Sequence, residues 1–207
     1  MPGTQLPTVV GDVLVTFNGL PAAVSYVSGA QVNALVPAGV SPGPVRVVVQ
    51  AYGANGTPFN MTATATHPAV YAVPTADGTT FYVTAALAGT ATLIGNSAVD
   101  PHVLRAAYPG DTLDLYTIGL GATMDPSDFI TNQVFAGAFP LAAQVTASVG
   151  GEPANVLFSG LTSPGLYLVR IVAPSDLAPG PQPLQIRAGG VVTRPLLVLQ
   201  VVSPPPG

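Results

Sequence analysis

The chain of 207 residues has no cysteine, no tryptophan and no lysine. Each absence closes a class of chemistry. Without cysteine there are no disulfides, no thiol nucleophile and no cysteine-held zinc. Without lysine there is no Lys–Asn isopeptide staple of the kind that locks some surface fibres. The five basic residues, Arg46, Arg105, Arg170, Arg187 and Arg194, stand singly, and the net charge is −4. Such a chain carries no electrostatic footprint for nucleic acid or anionic lipid. No apolar run reaches the roughly 18 residues of a membrane span. No signal peptide stands at Met1, so an exported form would be a mature chain or a segment of a longer one.

Charge itself is scarce, at 7% of residues against roughly 25% in an ordinary soluble domain. The surface must then consist of Thr, Ser, Asn, Gly, Ala and Pro, which protects only weakly against association. Two readings follow: a neutral, β-rich extracellular surface, or a surface covered by copies of itself or by other modules. The 23 glycines and 23 prolines exclude long helices, and the abundant valine and threonine favour strands.

The chain is organised around residues 149–174, VGGEPANVLFSGLTSPGLYLVRIVAP. They read as strand, Gly-Gly-x-Pro turn, strand, short loop and a third strand closed by proline. The same grammar runs through residues 17–37, FNGLPAAVSYVSGAQVNALVP. Phe17, Gly19, Pro21, Ala22, Val24 and Tyr26 align without gaps on Val149, Gly151, Pro153, Ala154, Val156 and Phe158. Beyond a small insertion at 160–164, Pro42-Gly43-Pro44 falls on Pro179-Gly180-Pro181, and Val47 and Val49 fall on Leu184 and Ile186. Two chance apolar strands would not keep glycine and proline in place, because those residues set special backbone angles. A repeat with two copies predicts tandem domains rather than a solenoid.

In chain order, strands are expected at 13–17, 22–26, 31–36, 45–52 and 59–66, with a tight turn at Asn18-Gly19. Residues 67–74 look like the crossing between units, and 79–86 with 91–94 like a hairpin about Ala88-Gly89. Residues 96–105 are irregular. Residues 112–118, TLDLYTI, alternate regularly, and 124–140 form a long loop. The last strand, 196–202, ends at Pro204-Pro205-Pro206. The second repeat is preceded by a strong strand at 112–118, the first only by residues 4–10. The first sandwich is thus short of a strand and has an open edge. A late start of the chain, the 79–94 hairpin, or a strand from a neighbouring molecule would each fill it. For the last case the strand-exchange segment is Thr8, Val9 and Val10.

These residues resemble an uncharacterised C-terminal domain family of secreted proteins from Solibacter-type Acidobacteria, with tandem immunoglobulin-like units close to the IPT/TIG type. The resemblance rests on VTFNGLPAAVSYVSGAQVNALVPAGV, on YPGDTLDLYTIGLGAT at 108–123, and on SVGGEPANVLFSGLTSPGLYLVRIVAPSDLAPGPQPLQIRAGGV. It spans nearly the whole chain except 67–103. It implies a secreted or surface-exposed bacterial β-sandwich module, and it transfers no catalytic residue.

Hydrolysis needs a nucleophile with a base, paired carboxylates or a metal. His67 precedes a proline at the unit boundary and His102 follows Asp100-Pro101; both read as loop histidines. Most carboxylates sit in turn contexts, where they bond nearby amides. Asp125 and Asp128 share a loop, where a calcium site competes with a plain solvated turn. Asp111 and Asp114 are an odd number apart and face opposite sides of a strand. Gly-Leu-Gly at 119–121 has no helix after it, so it is no phosphate cradle. Glycan binding wants exposed aromatics. Tyr26 and Phe158 share a repeat position and are expected in the core, which leaves Phe129, Phe135 and Phe139 as an interaction patch or as plugs at the end of a sandwich. Asn55-Gly56-Thr57 and Asn60-Met61-Thr62 have the form of glycosylation sequons.

The expected fold is all-β, with two tandem immunoglobulin-like β-sandwich units: residues 1–68, then 69–207 including the linker hairpin. The expected function is a non-catalytic extracellular structural or interaction module. It has no cofactor or metal, and it self-associates or meets neighbouring domains through strand edges and apolar faces. The alternative is a polysaccharide-binding module of a secreted protein.

Overall fold

The structure is a computed structural model that describes residues 5–125 and 133–205. It is all-β, and no helix occurs among the described residues. Two compact units form. The first draws its described residues from Met1–Ala65, Asp125–Ala138 and Thr162–Gly165; the second from Thr66–Met124, Phe139–Leu161 and Leu166–Gly207.

In the first unit β1 (Val9–Val10), β2 (Val13–Phe17), β3 (Leu20–Pro21), β4 (Ala23–Val27), β5 (Val32–Leu35), β6 (Gly43–Ala51), β7 (Ala54–Asn55) and β8 (Phe59–Ala63) follow in order. One layer runs β1-β2-β6, with β7 and β8 on the far side of β6; the facing layer is the β4–β5 pair. Alternation in VLVTF sends Val13, Val15 and Phe17 inward. Val15, Phe17, Ala22, Val24 and Val45 make the core. The turn at Asn18-Gly19 has φ of 50° and 82°, the doubly left-handed turn that suits the twist of a two-residue hairpin. Gly150-Gly151, at the matching place in the second repeat, has φ of 66° and 90°. The Asn18 side chain also ties the turn to the next strand, its Oδ1 accepting from the Arg46 N–H at 2.8 Å.

The lead-in and the long loop make further backbone bonds in this unit. The Val24 N–H donates to the Pro7 carbonyl (2.8 Å), Gln5 bridges Gln133 in antiparallel fashion, and the Gly137 N–H donates to the Thr162 carbonyl (3.1 Å). The lead-in thus lies beside β4, whereas β5, the counterpart of β18, has no described strand in the place that β14 takes beside β18. The 79–94 hairpin does not fill that place; it lies in the second unit. Tyr26 also departs from expectation. The β4–β5 register shifts between Val24 and Tyr26, and this bulge turns Tyr26 out of the core, where it is exposed.

The second unit holds β9 (Ala69–Val70), β10 (Ala72–Pro74), β11 (Phe81–Val83), β12 (Ala85–Leu87), β13 (Leu93–Ile94), β14 (Thr112–Ile118), β15 (Phe139–Pro140), β16 (Val145–Val149), β17 (Glu152–Ser163), β18 (Leu166–Val172), β19 (Gly180–Ala188), β20 (Val191–Val192) and β21 (Leu197–Val201). The strand path is β10-β11-β21-β19-β16-β17-β18-β14-β12-β13. β17 pairs with β16 through Glu152–Ala154 and with β15 through Gly160 and Leu161, so this long strand passes from one layer to the other. The expected 79–86 strand is two strands: β11 pairs with β10 and β21, while β12 pairs with β13 and β14, and the chain changes layer at Thr84. Leu113, Leu115, Val169, Ile171, Leu184, Ile186, Leu199 and Val201 are wholly buried between the layers, or nearly so.

Candidate interaction edge

The strands of the two repeats superpose in register as well as in sequence. Phe17 faces Val47 as Val149 faces Leu184, and Ala51 faces Ala54 as Ala188 faces Val191. Ala63 faces Gly43 as Val201 faces Gly180. β8 is therefore the counterpart of β21, and Phe59 and Met61 hold the places of Leu197 and Leu199. The environments are opposite. Leu197 and Leu199 are 3% and 0% exposed; Phe59 and Met61 are 66% and 42% exposed. Met61 faces Val45 and Phe59 faces Val47, both core residues or packed on the core. The apolar face of β8 thus points the way the core does and is left uncovered.

The backbone of β8 shows the same contrast. Arg46 spends its N–H and C=O on the β2 side, where both meet Asn18. In an antiparallel ladder the two groups of one residue point the same way and alternate along the strand. Val45 and Val47 therefore bond Met61 and Phe59, and the N–H and C=O of Asn60 and Thr62 point to the open side. No strand among the described residues pairs there. In the second repeat the matching side of β21 is covered: Val198 faces Tyr82 of β11, the Ala107 N–H donates to the Gln200 carbonyl (2.9 Å), and the Val202 N–H donates to the Ala107 carbonyl (2.9 Å). Nothing charged and no proline interrupts Phe59–Ala63, although these are the usual guards of a strand edge.

The residues singled out from sequence lie elsewhere. Val9 and Val10 pair with Leu14 and Val13 through the turn at Gly11-Asp12, so β1 is bonded to β2 on one side and is the end strand of that layer, with Thr8 at the bend before it. Phe129 and Asp128 lie outside the described residues. Phe135 and Phe139 are half-buried and belong to different units.

A second exposed face lies on the other unit. The Tyr71 N–H donates to the Tyr116 carbonyl (2.9 Å), and Tyr116 faces Leu168 on β18. Leu113, Leu115 and Thr117 turn inward on β14, so Tyr116 and Ile118 turn outward. Tyr71, Tyr116 and Leu168 make one row on the outer surface, with Tyr71 64% exposed. The signal was present in TLDLYTI, whose outward positions are Thr112, Asp114, Tyr116 and Ile118 rather than uniformly polar.

The polar groups are held in local structure. Asp114 takes two bonds from Arg170, Nε–Oδ1 at 2.6 Å and Nη2–Oδ2 at 2.8 Å. Asp111 takes two from Arg105, which lies over the Tyr108 ring at 4.1 Å. The Thr75 hydroxyl, then the backbone and hydroxyl of Thr79, hold the Asp77 carboxyl below its ordinary value. Asp100 accepts from the Thr84 hydroxyl and the His102 N–H. Both histidines are exposed, and no group of three or more His, Cys, Asp or Glu converges among the described residues. Burial raises the Tyr167 hydroxyl above the usual 10.0 while it donates to the Gly121 carbonyl at 2.8 Å. A shallow depression of about 280 Å³ is lined by Ser148, Gly150, Gly151, Pro183 and Gln185, none of them ionisable.

No protein-family model, no curated protein and no solved structure matches the chain.

Proposed function

We propose that the chain is a non-catalytic structural and interaction module, secreted or displayed on the cell surface, that assembles through strand edges and apolar faces. The tandem immunoglobulin-like character and the secreted setting rest on the motif resemblance. The mode of assembly rests on one observation: β8 is built like β21 but lacks the cover that β21 has. An open edge with a bare apolar flank favours the addition of another strand, which gains backbone hydrogen bonds and buries apolar area together. The scarcity of charge leaves little repulsion against it.

The test is sedimentation of the wild-type chain and of Met61→Lys over a concentration series. Association of the wild type that disappears in Met61→Lys supports the reading, because a charge on an edge strand blocks pairing. Identical sedimentation of the two overturns it. Met61 is already exposed, so the substitution leaves the fold intact, which a melting curve checks.

A second reading, glycan binding, has the Tyr71–Tyr116 row in its favour, since sugars stack on exposed aromatic rings. Retention on insoluble polysaccharide that is lost in Tyr71→Ala and Tyr116→Ala would favour it over assembly. Absence of retention removes it.

A further inference from the structure

We infer that the strand β8 accepts is β8 of a second molecule, antiparallel, about a two-fold axis through Met61. The inference rests on the reading of β8 as an assembly edge and adds the partner and the register.

Three features of Phe59–Ala63 carry it. The first is the hydrogen-bond phase. Asn60 and Thr62 present their N–H and C=O outward, so an antiparallel partner must place its own outward-pointing residues against them. With Met61 opposite Met61 of the second molecule, Asn60 meets Thr62 at both ends and all four residues are bonded. Shifting the axis onto Asn60 brings Thr62 against Pro58, which has no N–H. Shifting it onto Thr62 keeps only the Thr62 pair and pushes Asn60 against Thr64, beyond the end of the strand. The second is size. In the Met61-centred register Phe59 lies opposite Ala63, large against small, so the two apolar rims interlock without overlap. The non-hydrogen-bonded pairs, where side chains approach most closely, are then Met61–Met61 and Phe59–Ala63, the apolar ones. The third is charge. β8 has none, so self-pairing brings no like charges together, and Asn60 and Thr62 form a polar cross-strand pair on the outer face. A two-fold pairing of this kind closes on itself and yields dimers rather than fibres.

The absence of native cysteine makes a direct test available. In the inferred register Met61→Cys places two sulfurs on facing residues of a non-hydrogen-bonded pair, with Cα atoms roughly 4.5 Å apart, inside the range that a disulfide spans. Thr62→Cys, on the same strand, leaves its two copies displaced along the strands and beyond that range. The expected result, in a glutathione redox buffer, is covalent dimer from Met61→Cys at least about tenfold faster than from Thr62→Cys. Wild-type hydrogen exchange provides a second measurement free of any substitution: the Asn60 and Thr62 amides slow as concentration rises, while the Tyr52 amide does not. Equal cross-linking rates together with concentration-independent exchange at Asn60 and Thr62 overturn the inference. If that happens while association still depends on Met61→Lys, β8 remains an assembly edge and only its partner is wrong. If association ignores Met61→Lys, the edge reading falls as well.

Discussion

Met61 and Leu199 occupy the same place in the same strand pattern, one facing Val45 and the other Gln182, yet Met61 is 42% exposed and Leu199 wholly buried. The difference comes from the neighbours. β11 and Ala107 close the outer side of β21, and no described strand closes the outer side of β8. The pair yields a matched stability test. Leu199→Ala is expected to cost about 2–5 kcal/mol, as large-to-small changes in a closed core do. Met61→Ala is expected to cost about 0.5 kcal/mol or less in dilute solution. Chemical unfolding of both variants measures the contrast.

The Arg170–Asp114 fork predicts an asymmetry between two substitutions. The Asp114 side chain is nearly buried and that of Arg170 about one-third exposed. Arg170→Ala leaves a sheltered carboxylate without its two donors and is expected to cost about 1–3 kcal/mol. Arg170→Lys keeps the charge but loses the two-pronged geometry and should recover only part of that. Thermal melts of the two variants at low and high salt check the order.

Gly119 is at φ 73°, and a side chain there would run into the His67 carbonyl, whose own N–H donates to the Gly119 carbonyl at 2.7 Å. Both strain and collision oppose any other residue. Gly119→Ala is expected to destabilise the second unit by about 2 kcal/mol or more. Gly29→Ala, with open space around it, should change little. Urea unfolding separates the two.

Tyr167 sets an alkaline limit. Burial raises its folded-state pKa above the ordinary 10.0, so the folded protein holds this proton more tightly than the unfolded chain. The associated stability is fully present below the unfolded value and is lost as pH rises through the folded one. Melting temperatures should therefore fall above about pH 10, and less steeply in Tyr167→Phe. That variant should also lose about 1 kcal/mol at neutral pH with the Gly121 hydrogen bond. Asp77 works in the opposite direction at the acid end. Its lowered pKa contributes stability above the unfolded value of 3.8 that is lost as pH falls through the folded one.

Much of the architecture could be read from residues whose backbone demands are local. Asn18-Gly19 and Gly150-Gly151 announce the same left-handed turn in each repeat. The alternation in TLDLYTI marks inward and outward faces, although Asp114 on the outward side is sheltered by its pairing with Arg170. What escaped depends on partners distant in sequence. Tyr26 leaves the core because of one extra residue at Ser25, and nothing in VSYV announces a bulge. Residues 79–86 look like one strand because both halves are apolar; only the two-layer packing divides them at Thr84. Thr8, Val9 and Val10 were singled out for strand exchange, and Gly11-Asp12 folds Val9 and Val10 onto β2 on one side. An apolar edge that the sequence did not single out is β8, and FNMTA looks like any other short strand. Whether a strand is an edge is decided by what lies beside it, and that information is not carried by the strand.

The most direct test of the account is the mass of the wild-type chain in solution, by light scattering as concentration is raised. The expected result is a rise from the 20.7 kDa of a single chain toward twice that value, and no such rise in Met61→Lys. A mass that stays at one chain at every concentration, in wild type and variant alike, would contradict it.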